Sequence, residues 1–225
     1  MNIRQQPSPN FDDRRGFGVS MIVLHYTGMH SAGAALQRMC DPAAKVSAHY
    51  LIDEAGTVTQ MIDEADRAWH AGVACWHGET DINSMSVGIE LQNPGHEHGY
   101  RPFPDAQIRA LSALMTGIRS RHDVPDHRIV GHSDVAPSRK QDPGELFPWQ
   151  RLSAEGHGTW PLPGGPVQRI DDARTALARI GYATDANDLP QVITAFQRRF
   201  LPTHLTGKAD ADTISRIGEV LTVLG

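Results

Sequence analysis

Eight side chains able to do acid–base or metal chemistry fall at the ends of apolar runs or in the long Pro/Gly-rich segment 133–148: His25, His49, His70, Glu90, His132, Asp134, Lys140 and Asp142. A hydrolytic metal centre takes three protein ligands and leaves a fourth position open, and His with a carboxylate suffices without cysteine. His25 closes one apolar run and His132 another, and a Pro/Gly-containing loop can fold Asp142 back beside His132 across the ten residues between them. Spacing alone leaves other readings open. His96-x-His98 also has ligand-like spacing, but in a Gly-rich polar stretch. His25 reads equally well as a structural histidine, Glu90 as a solvent-facing carboxylate, and Asp142, before Pro143-Gly144, as a turn residue. From residue types and spacing, the reading reaches a candidate His/His/Asp hydrolase and no further.

The elements that must position these groups follow from the hydrophobic pattern. Met21-Ile22-Val23-Leu24 reads as a buried strand ending at His25-Tyr26, with Thr27-Gly28 as the turn. Residues 31–40 read as a short helix. Ala48 to Asp53 and Thr57 to Ile62 read as a hairpin around Glu54-Ala55-Gly56. Ser86 to Leu91 alternates, with Val87, Ile89 and Leu91 on one face and Gly88 and Glu90 on the other. Ile108, Leu111, Met115, Ile118 and His122 recur at helical spacing after Pro104-Asp105. Arg128 to His132 reads as a short strand, residues 133–148 as a long loop, and residues 1–18 as an irregular lead-in. These elements predict an α/β fold, a mixed central sheet packed with helices.

Gly-His-Gly-Thr-Trp-Pro-Leu-Pro-Gly-Gly-Pro at 156–166 breaks helix and strand alike and reads as a linker between a unit at 1–155 and a small all-α unit at 167–225. Charge shifts there too: residues 1–155 carry 14 basic and 19 acidic side chains, the tail 7 of each. Three helical patterns occupy the tail, around Ile170 to Ile180, Val192 to Phe200 and Thr213 to Leu221. About 60 residues make a small core, so the tail must be marginal alone or lean on its neighbour. A net charge of -5 over 225 residues argues against nucleic-acid binding. No 18-residue apolar run predicts a membrane span. Cys40 and Cys75, the only two cysteines, read as free thiols in or near the core.

Several segments carry a family pattern. Val23-Leu24-His25-Tyr26-Thr27, Val46 to Ile52 around His49, Ala68-Trp69-His70-Ala71-Gly72, Ser86 to Glu90 and Gly131 to Gly144 resemble, in order, the type 2 zinc-dependent N-acetylmuramoyl-L-alanine amidases, whose fold is shared with peptidoglycan recognition proteins. The resemblance spans roughly residues 15–155. The tail, through Leu177, Gly181-Tyr182, Ala195-Phe196-Gln197, Phe200 and Thr206-Gly207-x-x-Asp210-x-x-Thr213, resembles a helical peptidoglycan-binding domain.

The resemblance implies one Zn2+ per chain on His25, His132 and Asp142. It implies Glu90 as the acidic residue near the attacking water and Lys140 as the positive group near the scissile carbonyl. Tyr26, His49, Trp69 and His70 are implied around the substrate, with Trp76 a further wall candidate, and Asp134 as an acceptor behind a ligand histidine or a cap of its loop. The implied reaction is hydrolysis of the amide between N-acetylmuramic acid and L-alanine of peptidoglycan or muropeptides, with no nucleic acid and no obligate protein partner. The intact ligand set argues against the alternative, a non-catalytic muropeptide-binding protein of the same fold; a hydrolase for a different amide is the third reading. The first ten residues hold no apolar stretch of signal-peptide length, which favours the cytoplasm, whereas a wall-binding tail favours the envelope. Cytoplasmic is the expectation adopted, with periplasm or envelope if a leader was removed.

Overall fold

Met21 to Leu24 offer no polar side chain to water, and in the computed structural model, which describes residues 2–162 and 164–225, they lie on an interior strand of a sheet, fully buried. Met1, in the expected lead-in, and Pro163, in the expected linker, lie outside the described residues. The strands are β1 (Ile3–Gln5), β2 (Phe11–Asp13), β3 (Met21–Tyr26), β4 (Tyr50–Ile52), β5 (Val58–Gln60), β6 (Asp66–Ala68), β7 (Ser86–Leu91) and β8 (Ile129–Gly131). The helices are α1 (Ala32–Met39), α2 (Ile82–Met85), α3 (Asp105–Arg121), α4 (His132–Val135), α5 (Trp149–Ala154), α6 (Ala173–Ile180), α7 (Leu189–Phe200) and α8 (Ala211–Leu224).

Six strands form a mixed sheet in the order β1-β5-β4-β7-β3-β8. β3 pairs in parallel with β7 on one side and β8 on the other, and β4 runs parallel to β7. β5 returns antiparallel to β4 through the expected turn, where Gly56 takes φ +85° and a Cβ would meet the Ala106 carbonyl at 2.7 Å. Parallel strands covered on both faces read as continuous apolar runs, as β3 does.

One face, built from Ile22, Leu24, Val87, Ile89 and Leu91, packs against the Ile108, Leu111, Met115 and Ile118 stripe of α3. His122 leaves that stripe: it caps α3 and bonds Glu64. On the opposite face α1, N-capped by Ser31, covers Leu51 with Ala35 and Met39. The rest of that face is covered by the tail. Leu177, Val192, Phe196, Ile217 and Val220 belong to one buried cluster with Met21, Val23 and Val130 of the sheet. The tail therefore leans on the sheet, sharing its apolar surface. Its Thr206…Asp210…Thr213 pattern is absorbed internally: Asp210 caps α8 through Thr213 N–H, while the Gln197 amide donates to Thr206 and Thr213 and accepts from Thr206 and Gly207 N–H.

Two expectations are corrected. Residues 1–18 are not irregular throughout: β1 pairs with β5, and β2 with β6, because backbone hydrogen bonding to an existing edge needs no apolar pattern in the added strand. Residues 133–148 are not all loop either, since α4 begins at His132 itself. Both cysteines are free and partly buried.

Candidate metal centre

The end of β3 carries His25, and in-register pairing sets Glu90 of β7 beside it. β8 runs out through Gly131 into α4, which opens on His132. The chain then folds back: Ser133 N–H donates to the Asp142 carbonyl at 2.8 Å, and Gly131 leaves room for Pro143, whose Cδ would lie 2.7 Å from a Cβ there. The result is a triangle. His25 Nδ1, His132 Nδ1 and Asp142 Oδ2 stand 3.0 Å apart on every edge, and all three residues are buried.

The surrounding hydrogen bonds assign the protons. His132 Nε2–H donates to the Ala71 carbonyl at 3.0 Å, leaving its Nδ1 a bare lone pair. Ser86 O–H donates to the Ile82 carbonyl at 2.6 Å, so its oxygen accepts from His70 Nε2–H at 3.2 Å. His70 Nδ1 then accepts from His25 Nε2–H at 3.1 Å, and His25 Nδ1 is bare as well. Burial, followed by the positive potential of His132, pushes the His25 imidazolium down to about 4.

Two imidazole lone pairs and a carboxylate thus converge without a donor between them. Such a set repels itself unless a cation sits among it. Tetrahedral zinc with bonds of about 2.0–2.1 Å separates its ligand atoms by roughly 3.3 Å, close to the observed edges. His25, His132 and Asp142 are a site for one zinc ion per chain, and they are the group of three or more metal-binding side chains that converges among the described residues.

The triangle opens into a cleft of about 400 Å³ lined by Tyr26, Arg38, Trp69, Glu90, His96 and Lys140, among others. Glu90 Oε2 is buried and has no hydrogen-bond partner among the described residues. Burial, reinforced by the charge of Asp142 and opposed by Lys140, raises the Glu90 carboxyl well above the usual carboxylate range. His70 also lines the cleft, standing behind His25.

Three expected positions are corrected. His49 is sealed from the cleft: it is fully buried, accepts from Gly88 N–H at 2.9 Å and bonds the Asp66 carbonyl at 3.1 Å, tying β7 to β6. Asp134 touches neither ligand histidine; it accepts from Gly131 N–H, Tyr182 O–H and Arg199, because α4 turns its side chain toward the tail. Trp76 is buried against Tyr182 and walls no part of the cleft. Arg38, and the His96–Glu145 pair beside Tyr26, were not anticipated as cleft groups. Arg38 shows in sequence only as a polar position on an amphipathic helix. His96 carries a visible signal, its spacing to His98, but that pointed to metal rather than to Tyr26.

The family model for N-acetylmuramoyl-L-alanine amidase matches residues 15–145. Among curated relatives, N-acetylmuramoyl-L-alanine amidase AmiD of Escherichia coli is 37% identical over 222 residues, covering 87% of this chain and 79% of that protein. The 1,6-anhydro-N-acetylmuramyl-L-alanine amidase AmpD of Haemophilus influenzae is 37% identical over 167 residues, covering 66% of this chain and 89% of its own. The solved structure of E. coli AmiD with the substrate anhydro-N-acetylmuramic acid-L-Ala-D-gamma-Glu-L-Lys superposes with a TM-score of 0.80 at 34% identity, covering 94% of this chain and 92% of that one. Pseudomonas aeruginosa AmpDh3 gives a TM-score of 0.81 at 28% identity, covering 96% and 95%.

Proposed function

The chain belongs to the N-acetylmuramoyl-L-alanine amidase family, and we infer that it hydrolyses the amide between N-acetylmuramic acid and L-alanine in peptidoglycan or muropeptides, in cell-wall turnover or recycling. One observation carries the reading: a buried His/His/Asp donor set stands beside a carboxylate whose buried Oε2 has no hydrogen-bond partner among the described residues, in the wall of the same cleft.

His25, His132 and Asp142 hold the metal. When bound, zinc supplies Lewis acidity toward a carbonyl and lowers the pKa of water. Glu90 takes the proton of the attacking water and returns it to the leaving alanine amine; a carboxyl raised above its ordinary range is the stronger base for the first transfer. Lys140, two residues before Asp142 and on the cleft wall, donates to the oxygen on which negative charge develops. Tyr26 and Trp69 give the sugar and peptide apolar ring surface, while their polar ends are engaged elsewhere, Tyr26 with His96 and Trp69 Nε1–H with Asp12. His70 fixes the tautomer of His25 and lines the cleft behind it.

The test is mass spectrometry of a disaccharide-tetrapeptide, an anhydromuropeptide and intact sacculi incubated with the protein before and after chelation. Release of free stem peptide from any of them, lost on chelation and restored by zinc, is the expected result. Wild type that binds muropeptide and releases no peptide from all three would make the chain a binding protein instead.

A further inference from the structure

The metal-ligand loop does not stand on the sheet alone. It carries two of the three ligands, His132 and Asp142, and α7 of the tail reaches both of its ends with consecutive arginines. Arg198 and Arg199 lie in the last turn of α7, where charged side chains ordinarily face water, yet they are 9% and 5% exposed.

Arg199 Nη1 lies 3.0 Å from Asp134 Oδ2, two residues past His132. Tyr182 O–H, also from the tail, donates to Asp134 Oδ1 at 2.7 Å. The carboxylate's remaining bond, from Gly131 N–H at 2.8 Å, is to the residue before His132. Arg198 Nε lies 3.5 Å from Glu145 Oε2, three residues past Asp142, and the same carboxylate takes His96 at the cleft wall. Inside the loop, Ser133 N–H bonds the Asp142 carbonyl, so the two braced ends are coupled.

These contacts are poor choices for holding the tail down. Apolar packing already docks it, through Phe196, Leu177 and the rest of the shared cluster. Buried ion pairs return little net stability after desolvation, and Arg198 and Arg199 each leave a buried Nε–H without a hydrogen bond. What a planar guanidinium on the buried Asp134 and the half-buried Glu145 provides is geometry. We propose that Arg198 and Arg199 are positioning residues for the metal centre: through Asp134 and Glu145, the helical tail holds His132 and Asp142 where they ligate.

The proposal rests on the triangle binding zinc, and its test separates the two. Zinc affinity of the full chain is measured by competition with a chromogenic chelator, below every variant's unfolding transition, alongside the melting temperature of the metal-free protein. The variants are Arg199→Met, Arg198→Gln and Tyr182→Phe, with Arg199→Lys as the conservative replacement. Val220→Ala, a fully buried position of the tail core, is the control for simple loss of stability. The brace predicts zinc binding weakened about tenfold in Arg199→Met and measurably in Tyr182→Phe and Arg198→Gln, partly recovered in Arg199→Lys, and within about twofold of wild type in Val220→Ala. If the brace variants melt earlier but bind zinc as Val220→Ala does, the arginines only fasten the tail and the proposal is overturned. Should Arg199→Met fail to fold, Tyr182→Phe and Arg198→Gln decide by the same comparison. Wild type that takes up no zinc removes the metal centre itself, and the brace with it.

Discussion

A Cβ on Gly88 would collide with the ring of His70, at Cγ. The histidine ring occupies the space that any side chain at that position of β7 would take. Ser86, one step back on the same face, receives the Nε2 proton of His70, and Glu90, one step forward, faces the cleft. Three alternate residues of one strand therefore make a seat, an anchor and an acid.

Gly88→Ala is expected to lift His70 from that seat and break its bond to His25. The ligand histidine then loses the acceptor that fixes its tautomer, and zinc affinity should fall by about 10–100-fold. Chelator competition on the folded variant measures this; an unchanged affinity would show that His25 needs no such partner.

Glu90→Gln keeps the shape of the side chain and removes its proton chemistry. Turnover is expected to drop by about 10²–10⁴-fold while zinc content and muropeptide affinity stay near wild type. Single-turnover kinetics with calorimetric binding separates the two effects.

Arg38 lines the cleft and its guanidinium makes no ion pair among the described residues. The stem peptide carries carboxylates, and a charge-assisted contact from this exposed rim suits one of them. Arg38→Ala should raise KM several-fold, by about 1 kcal/mol, with kcat nearly constant, since an interaction made equally in ground and transition states affects binding alone. A substrate amidated at its free carboxylates should be indifferent to the substitution.

Acid should destabilise the metal-free protein in two stages. Burial, then the Arg14 guanidinium, pushes His49 down to about 3 from an ordinary value of 6.5. Burial would raise Glu64, but hydrogen bonds from Arg121, Tyr50 and His122 bring it down to about 2 from 4.5. In both cases the unfolded chain takes its proton first. Their stabilisation is complete above pH 6.5, declines below it as His49 resists protonation, and declines more steeply below 4.5 as Glu64 does too. Urea midpoints across this range, on the chelated protein, check the sign. Midpoints that rise on acidification would contradict it.

The central strands, α1, α3 and the tail helices were legible in the sequence because their apolar spacing is set by burial alone. Ser86 to Leu91 is an instance: alternation located the strand and its faces. Residue types and spacing reached the metal triangle as one candidate among several and the family resemblance selected it, since nothing in spacing brings Asp142 rather than Asp134 to His132. That choice is made by α4, which turns Asp134 toward the tail while His132 lines the cleft, and by a glycine at 131 that lets Pro143 close in. β1 and β2 were missed because three-residue strands paired at an edge carry no periodicity. His49 was misplaced because a motif histidine in the interior looks, in sequence, like one at the surface of a cleft.

The apolar cluster that runs from Val23 and Val130 into Phe196 and Val220 makes the tail and the sheet one cooperative unit. Melting should give a single calorimetric transition, with no separate early step for the last 60 or so residues. Cleavage beside the exposed Leu162 would sever the backbone yet leave the two fragments associated, still melting together. Expressed without its last three helices, the remainder would present Met21, Val23 and Trp76 to water, and a sticky fragment rather than a minimal enzyme is the expected product.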